Sequence, residues 1–413
     1  MRVNTAEFPL LACVVALLGT ILPAASPAAG AAEVSASTRR LHESFLTLDT
    51  HLDTPSLFGV AGWDVTRSHD VKRDGSQIDL PRMKQGGLDG GFWATYIPQG
   101  PLTSAGRATA RDAALVRLQE IRDVVAAHPK DFELAFTADD ARRIAAAGRR
   151  VVYLSMENGY PFGEDLSLLA TFHALGVRIA GVAHFLNNDL GDSSTDAKGP
   201  RWKGLSPLGK AWVAEANRLG MLIDASHSSD DVFDQLLDLS RAPIILTHSG
   251  ARAVHDHPRN IGDDRLRALA AKGGVIQISA YSDYMIARPA DPQRDAAISQ
   301  LRRGAGRTLA QREEMQKRIA EIERRWPAPR ADFEAFMQHL THAIEVAGVD
   351  HVGIGIDFDG GGGVAGLDDA RDYPKITAAL LARGYSREDL AKIWSGNALR
   401  VLAAAQQAAG RRD

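Results

Sequence analysis

Seven histidine and carboxylate residues of this 413-residue chain each lie at the end of a short apolar run. His51 and Asp53 stand two residues apart in TLDTHLDTP, so the alternation of a strand places both side chains on one face. The other five close later runs: Glu157 (VVYLSMENG), His184 (VRIAGVAH), His227 (MLIDASH), His248 (PIILTH) and Asp357 (HVGIGIDFDG). Imidazole and carboxylate groups are ligands for divalent metal ions, so this pattern indicates metal chemistry.

A lone histidine at a strand end is more often a hydrogen-bonded structural residue than a metal ligand. A series of polar residues, each closing an apolar strand, favours a shared metal site instead. Such a ligand set suits zinc, and also manganese, cobalt or iron. Four or five ligands with two carboxylates exceed what one tetrahedral ion needs, so we expect two ions bridged by Glu157. Two ions about 3.5–4 Å apart can hold a bridging hydroxide and polarise a carbonyl.

Eight predicted strands position these residues: Leu46–Asp53, Gly91–Ile97, Val151–Glu157, Val177–His184, Met221–His227, Pro243–His248, Val275–Ala280 and His351–Asp357. Helix-length segments lie between most of them, including Arg107–Ala127, Asp165–Leu175, Ser206–Leu219, Ser229–Leu239 and Asp263–Lys272. Apolar strands that alternate with amphipathic helices indicate a parallel sheet. Eight of them predict an α/β fold, a (β/α)8 TIM-type barrel, whose strand ends meet at the catalytic rim.

One segment interrupts this alternation. Residues 284–342, between the seventh and eighth strands, are rich in Arg, Glu and Gln, which predicts a charged helical insertion. A solvated helical face is the simpler interpretation, and a coiled-coil partner site is the alternative. The glycine run Gly360–Gly363 is interpreted as a flexible loop, because no clear helix start follows it as a phosphate-binding loop would require.

The overall composition excludes several classes of protein function. The chain is 45% hydrophobic and 24% charged, which is typical of a globular protein with a sizeable core. Its formal net charge of −3 gives no positive field for nucleic acid, and no basic amphipathic stretch indicates binding to a membrane surface. The single cysteine, Cys13, excludes an intrachain disulfide and a multi-cysteine metal site.

The N-terminus has the composition of a targeting segment. Residues 1–32 are predicted to be a signal peptide, with an apolar run from Pro9 to Pro23 and small residues near Ala31 for cleavage. An uncleaved membrane anchor is the alternative. We expect residues 33–413 to form one barrel domain that is exported, periplasmic or secreted, and soluble after cleavage. The C-terminus carries no hydrophobic tail that would signal a lipid anchor.

Longer motifs carry a family resemblance. They are, in order, DTHLDTP, IDLPRMKQGGLDGGFWATYIP, SMENG, LGVRIAGVAH, GLSPLGKAWVAEANRLGMLIDASH, PIILTHSGARAVHDHPRN, HVGIGIDFDG and SGNALRVL. In this order and spacing they resemble the membrane (renal) dipeptidase family of amidohydrolase-type metal-dependent barrels. The resemblance covers residues from His42 to Leu402.

The resemblance implies roles for individual residues. The five metal ligands would be His51, Asp53, Glu157, His227 and His248. His184 would contact the substrate and stabilise the tetrahedral intermediate, and Asp357 would lie near the substrate amine and relay a proton. Arg259, in HPRN, would receive the substrate carboxylate. Tyr281, after the seventh strand, is either a packing residue or a further substrate contact.

The implied function is that of an exported zinc dipeptidase that hydrolyses free dipeptides with a metal-bridging hydroxide. Two alternatives stay open. A related hydrolase on the same barrel could act on another small amide, a lactam or an N-acyl amino acid, because a barrel supports many chemistries. A non-catalytic binding protein that keeps its metals is the other alternative, and the intact ligand set with His184 argues against it. The sequence leaves homodimerisation undecided.

Overall fold

Parallel β-strands form the centre of this computed structural model, which describes residues 34–303 and 306–409. Most strand residues are buried, as expected for apolar strands that are covered by helices. The described strands are β1 Leu48–Leu52, β2 Gly90–Thr95, β3 Phe132–Leu134, β4 Arg150–Met156, β5 Val177–Gly181, β6 Leu222–Asp224, β7 Ile245–Ala251, β8 Asn260–Ile261, β9 Val275–Ile278 and β10 Val352–Ile354.

Eight of these strands pair in parallel in the order β1-β2-β4-β5-β6-β7-β9-β10. Strand β3 pairs with β4, and β8 pairs with the end of β7, so both lie outside this circuit. The two ends of the circuit meet where Leu52 pairs with Phe358 and the Asp53 amide donates to the Phe358 carbonyl at 3.0 Å. The predicted eight-stranded parallel barrel is confirmed, and it is nearly closed.

Helices follow most barrel strands. The described α-helices are α1 Ala36–His42, α2 Val71–Asp74, α3 Leu80–Gln85, α4 Ser104–Ala127, α5 Asp140–Ala146, α6 Ser167–Ala174, α7 Pro207–Leu219, α8 Asp230–Leu239, α9 Asp263–Ala271, α10 Ser282–Met285, α11 Pro292–Arg303, α12 Leu309–Arg325, α13 Phe333–Ala347, α14 Tyr373–Ala382, α15 Arg387–Ala391 and α16 Asn397–Ala408. Short helical turns span Thr54–Leu57, Tyr160–Phe162, Val349–His351, Ala370–Asp372 and Lys392–Gly396.

Helix α8 shows how local sequence sets an element. The Ser229 hydroxyl accepts the Val232 amide at 3.2 Å and so satisfies one of the free N–H groups of the first turn. Val232 and Leu236, four residues apart, lie on one helical face, and both are fully buried. The serine therefore fixes where the helix begins, and the apolar stripe fixes which side packs on the barrel.

The predicted helical insertion between β9 and β10 begins inside α10 and contains α11 and α12. It is attached to the segment that follows β1: the Ala61 amide donates to the Arg307 carbonyl at 2.8 Å, and Arg73 pairs with Glu313 at 2.7 Å. The predicted end of the insertion, residue 342, falls inside α13, which packs on β7, β9 and β10 as a barrel helix. The insertion thus contacts residues that follow β1 and its predicted ligands His51 and Asp53.

The predicted signal peptide, residues 1–32, lies outside the described residues. From Val34 onward the chain forms one compact unit. No helix within residues 34–303 and 306–409 has the length and apolar character needed to cross a membrane.

Candidate active site

The predicted ligands come together at the carboxyl-terminal ends of the barrel strands. His51 and His248 lie within β1 and β7, and Asp53 and Glu157 follow β1 and β4 closely. The remaining three lie on the loops after β5, β6 and β10, namely His184, His227 and Asp357. All seven side chains are buried, and none of these residues is more than 9% exposed.

Glu157 stands at the centre of this cluster. Its Oε1 faces the Nε2 atoms of four histidines: His184 at 3.2 Å, His227 at 3.4 Å, His51 at 3.7 Å and His248 at 3.8 Å. These histidines come from four different strand ends, so only the closed barrel brings them to one carboxylate. This position is the one expected of a bridging ligand.

Two further carboxylates face the same nitrogen of His51. His51 Nε2 is 3.2 Å from Asp53 Oδ2 and 3.9 Å from Asp357 Oδ1. Three overlapping sets could each hold a metal ion, with candidate ligand atoms within 4.8 Å of one another: His51–Glu157–His248, Glu157–His184–His227 and His51–Asp53–Asp357. Because His51 and Glu157 are shared between sets, the cluster is continuous.

The pKa values of the clustered histidines are shifted in opposite directions. Burial lowers the pKa of His51, but the charges of Asp53 and Glu157 outweigh burial and raise the pKa to about 10. Burial above all, reinforced by nearby positive charge, holds the pKa values of His227 and His248 well below their usual range. A neutral imidazole has a free lone pair, which is the form that binds a metal ion.

The pKa of a carboxylate in the cluster is also shifted. Burial and the charge of Asp53 raise the pKa of Asp357 well above its usual range. The three buried carboxylates, Asp53, Glu157 and Asp357, repel one another, so a positive charge among them is favourable. A divalent cation would supply that charge.

Two contacts test whether these residues fit a metal ion. His227 Nε2 and His248 Nε2 face each other at 2.8 Å. His51 Nε2 lies 3.2 Å from Asp53 Oδ2 and 3.7 Å from Glu157 Oε1, so this third imidazole faces the same space. A divalent cation among these atoms would bind imidazole nitrogens and carboxylate oxygens together. Imidazole and carboxylate together are common zinc ligands, so the residues fit the predicted group.

Backbone strain is concentrated at the same place. His227 (φ 64°), Asp357 (φ 70°) and Asp359 (φ 66°) are three of the four described non-glycine residues with positive φ. Asp359 is held there because its carboxylate accepts the Thr54 hydroxyl at 2.7 Å and the Gln77 amide at 2.6 Å. Strained residues persist only where the surrounding structure holds them, and they often mark functional sites.

The glycine run beside the site has a packing role. A Cβ atom at Gly360 would collide with the Asp53 and Asp357 carboxylates, so only glycine fits there. The Gly362 amide donates to the Asp357 carbonyl at 2.7 Å. The interpretation as a flexible loop therefore misses why these residues are glycine.

His184 has aromatic neighbours on the outer side of the cluster. Its ring centroid lies 3.9 Å from that of Phe185, 4.1 Å from that of His227 and 4.8 Å from that of Tyr96. The Ser193 hydroxyl donates to the His184 carbonyl and fixes the loop. Phe185 is 45% exposed, so this wall opens to solvent beside His184.

Arg259 reaches the edge of the cluster from the segment after β7. Its Nη2 donates to the His248 carbonyl at 2.8 Å, and its Nη1 donates to Ser249 Oγ at 3.2 Å. The guanidinium carbon lies 5.2 Å from the ring centroid of Tyr284. The buried Nε has no hydrogen-bond partner in the described chain. Arg259 is thus rigidly held and keeps a donor free.

Tyr281 lies next to Tyr284, the residue that contacts Arg259. Its ring stacks on Tyr284 at 4.5 Å and packs against Gly361. Tyr284, which contacts Arg259, was not predicted from the sequence. The spacing of Tyr281 and Tyr284 at i and i+3 around a short helix is the signal that could have indicated both.

Comparisons with known proteins identify the family of the chain. The family model described as membrane dipeptidase (peptidase family M19) matches residues 35–413. Dipeptidase tcpJ of Claviceps purpurea is 33% identical over 331 residues, which cover 79% of this chain and 68% of that protein.

Two solved structures are similar over most of their length. The probable dipeptidase PvdM of Pseudomonas aeruginosa has a TM-score of 0.78 and 32% identity, covering 90% of this chain and 98% of that one. A metallopeptidase of Rhodobacter sphaeroides was solved with a phosphinate mimic of the dipeptide L-Ala-D-Ala. It has a TM-score of 0.68 and 26% identity, covering 87% of this chain and 99% of that one. The predicted family is confirmed: the chain belongs to the membrane dipeptidase family, peptidase family M19, and is a metallo-dipeptidase of that family.

Proposed function

We propose that the chain is an exported dipeptidase that hydrolyses the peptide bond of free dipeptides with two divalent ions, most simply zinc, at the barrel mouth. The observation that carries this proposal is the convergence of four histidine Nε2 atoms on Glu157 Oε1, within 3.8 Å. A single buried carboxylate oxygen that faces four imidazoles has the surroundings of a ligand shared by two ions.

Five side chains would hold the ions: His51, Asp53, Glu157, His227 and His248. Bound divalent ions would polarise the scissile carbonyl and lower the pKa of a water molecule that becomes a bridging hydroxide nucleophile. The burial of these side chains and their closeness to one another support this role. Removing any one ligand should therefore disturb metal binding as well as rate.

The remaining residues would handle the substrate. Arg259, with its free Nε donor, would pair with the terminal carboxylate, and Asp357 would bind the free amine and relay a proton to the leaving group. His184 would donate a hydrogen bond to the oxyanion that develops at the carbonyl. Tyr281 would line the wall behind Arg259. Recognition of both substrate ends would restrict the enzyme to dipeptides.

Arg259→Leu is expected to raise KM for free dipeptides by roughly 10–100-fold, because charge-assisted hydrogen bonds to the carboxylate are lost in ground and transition states alike. The value of kcat per metal-loaded protein should change only a few-fold. The variant should also lose the preference for free over C-terminally amidated dipeptides. Arg218→Leu, on the exposed face of α7, is the matched control.

Steady-state kinetics with free and amidated forms of the same dipeptides measure this effect. The panel should include L-Ala-D-Ala, because a similar metallopeptidase was solved with a mimic of that dipeptide. It should also include a lactam and an N-acyl amino acid, the substrates of the alternative hydrolase. If the lactam or the N-acyl amino acid is turned over faster than every dipeptide, it would replace dipeptides as the proposed substrate class. If KM increases equally for free and amidated dipeptides, the proposed role of Arg259 would be wrong.

Export rests on the composition of residues 1–32, with its apolar run and small residues before the predicted cleavage site. Intact-mass measurement of the protein from the exported fraction is expected to show a chain that begins near residue 33. A mass that includes Met1, found in the cytoplasmic fraction, would contradict export without affecting the catalytic proposal.

A further inference from the structure

Behind His248 lies a buried pair of side chains that the catalytic account does not use. Asp224 ends β6 and is 2% exposed, and Thr247 is 1% exposed. Asp224 Oδ2 accepts the Thr247 hydroxyl at 2.6 Å, and Asp224 Oδ1 accepts the backbone amides of Ser226 at 2.8 Å and Thr247 at 3.0 Å. Thr247 Oγ1 in turn lies 2.9 Å from His248 Nδ1. These contacts form a chain from carboxylate to hydroxyl to imidazole.

The hydrogen bonds decide where the proton of His248 sits. A hydroxyl has one proton to donate, and an ionised carboxylate is only an acceptor. At 2.6 Å the Thr247 proton is directed to Asp224, so Thr247 Oγ1 is left as an acceptor. His248 Nδ1 must then carry the hydrogen that it donates to Thr247. In the neutral ring Nε2 is consequently unprotonated, and its lone pair points to the cluster.

An irregularity in β7 allows the adjacent side chains of Thr247 and His248 to contact each other. In a regular strand, neighbouring side chains point to opposite faces. The pairing of β7 with β9 shifts register between Leu246 and Ser249, at the position of Thr247 and His248. Such an irregularity re-aims side chains locally. His227 has no equivalent support, because its buried Nδ1 lacks a hydrogen-bond partner among the residues described.

We propose that Thr247, held by Asp224, is a positioning residue that fixes the tautomer and orientation of His248 and thereby sets the affinity for one divalent ion. The inference rests on the proposed metal role of His248. Partners that bond the far nitrogen of a metal-binding histidine typically change affinity by about 10–100-fold when they are removed.

The test is a zinc titration of the metal-freed full protein against a competing chelator. Thr247→Val keeps the shape of the side chain and removes the hydroxyl, and it should weaken binding of one ion by about 10–100-fold. Thr247→Ser restores the hydroxyl and should bind zinc as the wild type does. Thr377→Val is the matched control: its buried hydroxyl bonds His42 Nδ1 at 2.8 Å away from the cluster, so its loss should leave zinc affinity unchanged.

The outcomes separate this inference from the function on which it rests. Wild-type zinc affinity in Thr247→Val, together with loss of an ion in His248→Ala, would overturn the positioning role alone. Full zinc content in His248→Ala would overturn both. If Thr247→Val does not fold, Asp224→Asn removes the charge that holds the Thr247 proton, and unchanged zinc affinity in that variant would equally overturn the role.

Discussion

Glu157→Gln is expected to lower kcat/KM for dipeptides by about 10³-fold or more, because bound ions contribute several kcal/mol of transition-state stabilisation. The variant should also hold less metal than the wild type. The reason is geometric: Glu157 Oε1 is the one atom that four histidines face, and an amide has no charge to share between two cations. Elemental analysis and kinetics on the same preparations measure both effects.

The control for this variant is Glu164→Gln, whose carboxylate side chain is 68% exposed in an ion pair with Arg107. An exposed ion pair contributes little, so this variant should keep wild-type metal content and rate. Chelation of the wild type should reproduce the loss seen in Glu157→Gln, and added divalent metal should reverse it. Full activity of chelated, metal-free protein would contradict the metal-dependent account.

His184→Ala is expected to lower kcat by roughly 10²–10³-fold with little change in metal content, because an oxyanion donor acts on charge that develops in the transition state. The position of His184 is also compatible with metal binding, so the metal content of this variant must be measured. His184 Nε2 is 3.2 Å from Glu157 Oε1, closer than any other histidine of the cluster, so a ligand role is also sterically feasible. Kinetics normalised to bound metal distinguish the two roles.

His173→Ala, on α6 outside the barrel mouth, controls for the loss of an imidazole. It should leave kcat and metal content unchanged. If His184→Ala lost an ion, His184 would belong to the ligands. If it kept a near-normal kcat, the assignment of an oxyanion contact would be wrong.

The barrel and the strand ends that carry the predicted ligands could be predicted because the strands are marked in the local sequence. Apolar runs fix the strands, and a parallel barrel brings all their carboxyl ends to one rim. His51 and Glu157 lie where that argument places them. The boundaries differ at His184, His227 and Asp357, which lie on loops beyond shorter strands, and a positive φ turns the chain at His227 and Asp357.

What could not be predicted depends on contacts between distant segments. The contact of Arg259 with Tyr284 joins the segment after β7 to the insertion, and the local spacing of Tyr281 and Tyr284 does not show that Arg259 is the partner. The attachment of Arg73 to Glu313 likewise joins parts of the chain that are far apart in sequence. Strand β8, two residues long, is too short to produce a recognisable pattern.

Anomalous X-ray diffraction at the zinc absorption edge, from crystals of the active protein, tests the central claim most directly. We expect two peaks about 3.5–4 Å apart, beside the Glu157 carboxylate and among His51, Asp53, His227 and His248. A single peak, or peaks remote from Glu157 in crystals of protein that hydrolyses dipeptides, would contradict it.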